Sequence, residues 1–282
     1  MLLLAGTLPI KGLKLQEGEG KFTNGRLMIG DRTFSLNRGT AAMMAACCAV
    51  CKKCDLEKPY CVVSGDIGRG EGSIPLYHYL RDQIPKMGVN VATFHYIMPN
   101  LPYHNEVLES IKTMKEKPFL IADAGYMYVA KMAGFAQFYD IFTPDLGELA
   151  FLADKEAPHP FYTRGFIFHM EDRINELIKL AYEGENAARF LFVKGKRDYI
   201  CKDGKILKEI GEMKVPELEA IGGTGDTITG MVAGLIYQGI STEEAMVKSA
   251  RANRLAGILA KPTPATQIRE IIEKIPQAMD EI

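Results

Sequence analysis

The feature that most limits how this chain can fold is the rhythm that sets in after residue 60. Apolar runs of strand length at 61–63, 89–94, 119–122, 141–143 and 190–193 are separated by stretches of helical periodicity at 74–86, 105–114, 126–133 and 172–183. A strand that reads as an unbroken apolar run is buried on both faces. Strands of that kind, alternating with helices, build right-handed βαβ units and a mostly parallel sheet with helices on both faces. The chain is therefore expected to be an α/β protein. Its 282 residues, 47 % of them hydrophobic, supply one large core. No low-complexity linker divides it, so a single domain over 1–282 is expected.

The flanks fit the same plan. Residues 1–38 read as short strands joined by turns at Asn24-Gly25 and Gly30-Asp31. Arg38-Gly39-Thr40 opens an Ala- and Met-rich helix running to about Cys51. A short helix is expected to begin at Glu148, followed by an irregular stretch rich in Pro, His and Phe at 155–170. Residues 196–210 read as a hairpin turning at Asp203-Gly204, and helices at 225–238, 242–260 and 265–275 close the chain.

Charge narrows the partners. The 34 basic and 35 acidic residues nearly cancel, so no nucleic-acid footprint or polybasic membrane patch is expected. No run approaches the ~18 apolar residues of a membrane span. The opening Met1-Leu2-Leu3-Leu4-Ala5-Gly6 lacks a basic leader and runs straight into Pro9 and Lys11, so it reads as a strand. The expectation is a cytoplasmic protein with a small-molecule substrate and neither a nucleic-acid nor a membrane partner; a homo-oligomer stays open.

The chemistry concentrates in Ile221-Gly222-Gly223-Thr224-Gly225-Asp226-Thr227-Ile228-Thr229-Gly230-Met231. Glycines let the backbone turn tightly and approach a ligand closely. Thr224 is the expected N-cap of the helix that follows. The free amides of a helix start, at the positive end of its dipole, suit phosphate oxygens. A carboxylate in such a turn is unfavourable unless it has a task, and Asp226 is placed to take a proton from an attacking hydroxyl. The plainer alternative is that Asp226 pairs with the helix dipole.

These residues carry a resemblance. Gly223-Thr224-Gly225-Asp226 is similar to the Gly-x-Gly-Asp anion-hole motif of the ribokinase-like superfamily. The run from Gly222 to Gly230, continuing as Met231-Val232-Ala233-Gly234-Leu235, looks most like the ADP/ATP-dependent NAD(P)H-hydrate dehydratases, lyases that return hydrated nicotinamide cofactors to NADH or NADPH. The resemblance implies a ribokinase-like three-layer sandwich, ATP or ADP with Mg²⁺ as cofactors, Asp226 as general base, and Gly222, Gly223, Thr224 and Gly225 as phosphate holders. It also implies that Lys194 and Gly195, at the end of a Val-Lys-Gly strand, border the nucleotide. Asn253, in the Ala250-to-Gly257 helix, would line its adenine side. Thr143-Pro144-Asp145-Leu146-Gly147-Glu148 resembles the dehydratases' Thr-Pro-His-Pro-Gly-Glu type element and the Asn-x-x-Glu of ribokinase-like kinases, so Glu148 and Asp145 would organise Mg²⁺, although Asp145 departs from both patterns. Gly65 and Gly68, in Gly65-Asp66-Ile67-Gly68-Arg69-Gly70, and Asp123 would face the substrate.

The pattern fails at Asp123-Ala124-Gly125, where the family usually has Asp-Ala-Asp followed by Asn. The substrate side is therefore where this chain differs. Three functions follow: nucleotide-dependent dehydration of hydrated NAD(P)H, an ATP-dependent kinase for a sugar- or vitamin-like alcohol, and a non-enzymatic nucleotide- or redox-sensing module with Cys48, Cys51 and Cys54 as the switch. Cys47-Cys48-x-x-Cys51-x-x-Cys54 has spacing that can feed a metal or an iron–sulfur cluster, against the plainer reading of reduced thiols in an apolar helix. None of the five histidines forms a pair at metal-ligand spacing.

Overall fold

The computed structural model describes residues 1–157, 173–213, 216–263 and 265–282. The irregular stretch expected at 155–170 lies, beyond Ala157, outside the described residues. The described strands form a single sheet. In chain order they are β1 (Leu2–Leu8), β2 (Gln16–Thr23), β3 (Arg26–Ile29), β4 (Arg32–Phe34), β5 (Tyr60–Gly65), β6 (Val91–His95), β7 (Phe119–Asp123), β8 (Ile141–Phe142), β9 (Phe190–Val193), β10 (Asp198–Lys202) and β11 (Lys205–Ile210). Their order across the sheet is β11-β10-β9-β8-β7-β6-β1-β5-β2-β3-β4.

From β9 to β5 every neighbouring pair is parallel. The antiparallel β10–β11 hairpin extends one edge. The antiparallel β2–β3–β4 meander extends the other. The expected rhythm is thus the parallel centre, and the expected hairpins are its margins.

Helices cover both faces. On one side lie α1 (Thr40–Lys53), α7 (Thr224–Tyr237), α8 (Thr242–Ala260), α9 (Ile268–Ile272) and α10 (Ile275–Asp280). On the other lie α2 (Ser73–Gln83), α3 (Leu101–Lys112), α4 (Ala124–Met132), α5 (Leu146–Ala153) and α6 (Ile174–Glu183). The period-2 alternation of β1 divides it between the layers: Leu2 and Leu4 pack with α1 and α7, while Leu3 and Ala5 pack on the opposite side. This is the three-layer α/β sandwich expected.

Several boundaries moved, each for a local reason. Helix α3 begins at Leu101, because the Asn100 side chain accepts from the Tyr103 amide. Helix α4 begins directly at Ala124, capped by Asp123. The helix expected to start at Glu148 starts at Leu146, with Asp145 as its N-cap. The last expected helix is two short ones, the second carrying a proline in its first turn. At α7 the N-cap is Gly223, in the left-handed region at φ 103°, and not Thr224. The Thr224 hydroxyl instead donates to the carbonyls of Leu218 and Ile221.

Candidate active site

In an open parallel sheet, side chains at the carboxyl ends of the strands gather at one edge, and ligands bind there. Here β6 ends in His95, β7 in Asp123, β8 runs into Thr143, and β9 into Lys194. Helix α7 points its start at the same edge and brings Asp226 and Thr229.

Asp123 is the hub. Lys194 Nζ donates to both of its oxygens, at 3.1 and 3.0 Å, and the two side chains are only 10 % and 2 % exposed. Thr229 Oγ1 donates to Asp123 Oδ2 at 2.6 Å, and with its one proton so used it accepts from Thr143, 2.9 Å away. Burial alone would raise the Asp123 pKa; the charges of Lys194 and His95 hold it far below the usual carboxylate range. Asp123 is therefore a buried counter-ion to Lys194. Lys194 is its partner, and its amine also lies near Gly225, where a Cβ would stand 3.8 Å from Nζ. Gly195 is fixed from behind: its amide donates to Asp198, and its carbonyl accepts from Arg254.

His95 joins the two acids. Its Nε2 lies 3.0 Å from Asp226 Oδ1 and 3.5 Å from Asp123 Oδ2, while Nδ1 lies 3.0 Å from the Thr40 hydroxyl. Burial pulls its pKa down, but the contacts to Asp123 and Asp226 and their charges outweigh burial and push it up to about 9. Both ring nitrogens then carry protons, and both have acceptors. The second Asp226 oxygen accepts from the Gly39 amide at 2.7 Å, at the start of α1. Burial would raise the Asp226 pKa; the hydrogen bond and charge of His95 lower it, so Asp226 is ionised.

The glycine turn is hemmed in. A Cβ on Gly223 would stand 3.1 Å from both Arg38 Cα and Ile268 Cγ1, and its left-handed φ also favours glycine. Asn253, expected toward the adenine, is buried behind this turn: Nδ2 donates to the Thr224 carbonyl and Oδ1 accepts from Thr227. Beside the exposed Gly222 lies a pocket of about 340 Å³ lined by Arg38, Ile221, Gly222, Gln267 and Ile268, among others.

Asp145 and Glu148 form a reciprocal capping box, each side chain accepting from the other's amide at 2.8 Å. Glu148 also accepts from the Tyr128 hydroxyl at 2.5 Å. Burial, then the charges of Asp145 and Asp123, push Glu148 up to about 8. Gly65 and Gly68 lie at the exit of β5, in a loop organised by Asp66. That carboxylate accepts from the amides of Gly68, Arg69, Gly70 and Ser73 and from the Ser73 hydroxyl. Gly65 is a packing glycine: a Cβ there would stand 2.0 Å from the Ile10 carbonyl oxygen.

Four of the cysteines lie close together, but among the described residues no three of them come within metal-ligand reach of one another. Cys47, Cys48, Cys51 and Cys61 are buried thiols between α1 and its neighbours. Burial and the adjacent thiols raise Cys47 well above its ordinary value. Among the described residues, the group whose ligand atoms come within 4.8 Å of one another is His95, Asp123 and Asp226. Lys194 and Thr229 already occupy the Asp123 oxygens of that trio, which makes it a charge-balanced cluster. His95 was invisible to spacing arguments, because its partners stand far along the chain. The available signal was its position as the polar residue ending an apolar strand, a position it shares with Asp123.

A parallel sheet covered on both faces, with a glycine turn and its carboxylate at the carboxyl edge, defines a ribokinase-like α/β protein. The chain belongs to the NAD(P)H-hydrate dehydratase family, whose model matches residues 99–277. It is 40 % identical over 220 residues to an uncharacterised protein of Methanocaldococcus jannaschii, covering 78 % of this chain and 90 % of that one. It is 31 % identical over 112 residues to the bifunctional NAD(P)H-hydrate repair enzyme of Hyperthermus butylicus, covering 39 % of this chain and 20 % of that protein. Its fold is similar to the ADP/ATP-dependent NAD(P)H-hydrate dehydratase of Bacillus subtilis co-crystallised with ATP and Mg²⁺, at TM-score 0.62 and 15 % identity over 99 % of this chain and 88 % of that one. Among the described residues, no helix is long and apolar enough to cross a membrane.

Proposed function

We propose that this chain dehydrates hydrated NAD(P)H at the expense of ATP or ADP, with Asp226 as the general base. The observation that carries the reading is the seat of Asp226. It is an ionised carboxylate in the first turn of α7, directly after Gly223-Thr224-Gly225, with one oxygen held by the Gly39 amide and the other by His95. Amides at a helix start hold phosphate oxygens, and a fixed carboxylate beside them receives the proton of an attacking hydroxyl.

In this reading the substrate hydroxyl approaches Asp226 and gives up its proton as its oxygen bonds to the terminal phosphorus, while the bond from that phosphorus to the bridging oxygen breaks and ADP leaves from ATP, or AMP from ADP. The Gly222, Gly223, Thr224 and Gly225 backbone steadies the phosphate, and Lys194, beneath Gly225, adds positive charge. The phosphate then leaves with the C–O electron pair, and the ring loses a proton from the adjacent carbon. His95 keeps Asp226 oriented and balances its charge. The pocket lined by Arg38, Gly222 and Ile268 accommodates the nucleoside. The oxygen donors of Glu148 and Asp145 fit Mg²⁺, reached through water, and the ion would neutralise phosphate charge. Most of the acceleration would come from positioning and charge stabilisation.

A second reading, a kinase for another alcohol, draws on the substrate side. Gly125 stands where the family carries a second Asp, and a Cβ there would lie 2.6 Å from the Ile97 carbonyl oxygen. The test of both is recovery of NADH absorbance from hydrated NADH by purified protein with Mg²⁺ and ATP or ADP, beside Asp226→Asn. Recovery that requires nucleotide and vanishes in the variant upholds dehydration. A phosphorylated alcohol without NADH recovery favours the kinase.

A further inference from the structure

The exit of β6 is unlike the other strand exits. His95 is fully buried, yet the next residue, Tyr96, is 51 % exposed, and Ile97 is fully buried again. Tyr96 stands in the left-handed region at φ 51°. For a residue with a Cβ that conformation carries strain, and such strain gathers at functional sites. The surroundings hold it there. Its carbonyl accepts from the Thr7 hydroxyl, and the Ile97 backbone after it presses into the space left by Gly125.

The twist aims the ring. Tyr96 meets the His95 ring edge-on, at 4.5 Å between centroids and 75° between planes. It also lies over the start of α1, 3.6 Å from where a Cβ on Gly39 would be. Gly39 is the residue whose amide holds Asp226. Tyr96 is therefore within one residue of both groups that grip the Asp226 carboxylate. Burial, followed by the negative charges of Asp226, Glu148 and Asp123, raises its phenol pKa.

Apolar side chains continue from it along the same edge. Met98 is 37 % exposed, and its amide donates to Ser73 at the start of α2. Ile67 and Ile74 flank the Asp66 loop, and Ile10 packs its backbone against Gly65. Exposed apolar groups around a charged cleft favour a ligand with a flat, weakly polar body and one reactive polar group.

We propose that Tyr96 is the platform on which the planar N–C=C–carboxamide part of the substrate ring stacks while its hydroxyl reaches Asp226. The proposal rests on Asp226 being the group that meets the reacting hydroxyl. A ring bearing a hydroxyl at Asp226 lies within a ring's width of Tyr96, since Tyr96 covers the Gly39 end of that carboxylate.

The test compares wild type, Tyr96→Phe and Tyr96→Ala in dehydration of hydrated NADH with ATP and Mg²⁺, and in NADH binding followed by the cofactor's own fluorescence. Loss of one aromatic stacking partner is expected to raise KM for hydrated NADH and Kd for NADH about tenfold in Tyr96→Ala. Tyr96→Phe, which keeps the ring, should stay within about threefold. KM for ATP should be unchanged in both, a result that general loss of structure would not give. NADH affinity and KM unaltered in Tyr96→Ala would overturn the proposal. If wild type recovers no NADH, the dehydratase reading fails, and the platform is judged by binding of pyridoxal, thiamine and NADH against ribose. A flat-ring ligand bound by wild type and weakened about tenfold in Tyr96→Ala upholds it. Binding of none of these rings, or of ribose alone, sinks it.

Discussion

His95 Nε2 and Asp226 Oδ1 stand 3.0 Å apart, although 131 residues separate them in the chain. The pair sets the charge state of the site. With His95 pushed up to about 9 and Asp226 lowered, the cluster at neutral pH holds two cations, His95 and Lys194, against Asp123 and Asp226.

That balance predicts a pH dependence. The folded pKa of His95 is raised above its ordinary value, so its ion-pair contribution is fully present below about 6.5 and is lost as pH rises through about 9. The stability difference between wild type and His95→Gln should therefore be largest near pH 6 and shrink steadily to pH 10. Urea midpoints measured across this range decide it, and a difference that stays constant or grows with pH would contradict the ion pair.

Asp226→Asn keeps the shape of the carboxylate and loses its basicity. Turnover should fall by at least 10²–10⁴-fold, the usual worth of a general base. Nucleotide binding measured by calorimetry should persist, because the glycine turn is untouched. Equal loss of nucleotide binding would assign Asp226 to the fold of the turn and not to the chemistry.

Lys194 and Asp123 form a buried pair, and removing one charge strands the other. Lys194→Met should cost about 3–5 kcal/mol of stability. The double variant Lys194→Met with Asp123→Asn should be more stable than Lys194→Met alone, since no uncompensated charge remains. Denaturant unfolding of the single and double variants checks the sign.

Gly6, in β1, lets the backbone of β6 come close: a Cβ there would stand 2.2 Å from the His95 carbonyl oxygen. Gly6→Ala must push the β6 exit away, at a cost of about 1–3 kcal/mol or more. His95 would move with it, so turnover should fall further than stability loss accounts for. Wild-type turnover in Gly6→Ala would show that the His95 position is not needed.

The sheet and its helical cover were legible because hydrophobic periodicity is local. The runs at 119–122 and 190–193 needed no distant information to be read as strands. The glycine turn at 222–225 was legible for the same reason. The cap of α7 was not: threonine is the better side-chain cap, but the close approach of Arg38 and Ile268 demands the left-handed backbone that Gly223 supplies. Nor was the division of labour in the site. Asp123 and Lys194 are 71 positions apart, and only the sheet register makes them a pair. Asn253 reads as a ligand contact on a helix until its two ends are seen occupied by Thr224 and Thr227.

The bond from the Gly39 amide to Asp226 spans 187 residues. It sits atop a helix pair in which the glycines of α7 fit against α1: a Cβ on Gly230 would lie 2.0 Å from the Met43 carbonyl oxygen. During synthesis α1 leaves the ribosome well before α7, which completes its cover. Until then its Ala- and Met-rich surface is exposed to water and to other nascent chains. Chains cut short before α7 would present that surface permanently, so such truncated products are natural clients for chaperones and proteases, and activity can begin only once α7 has been made.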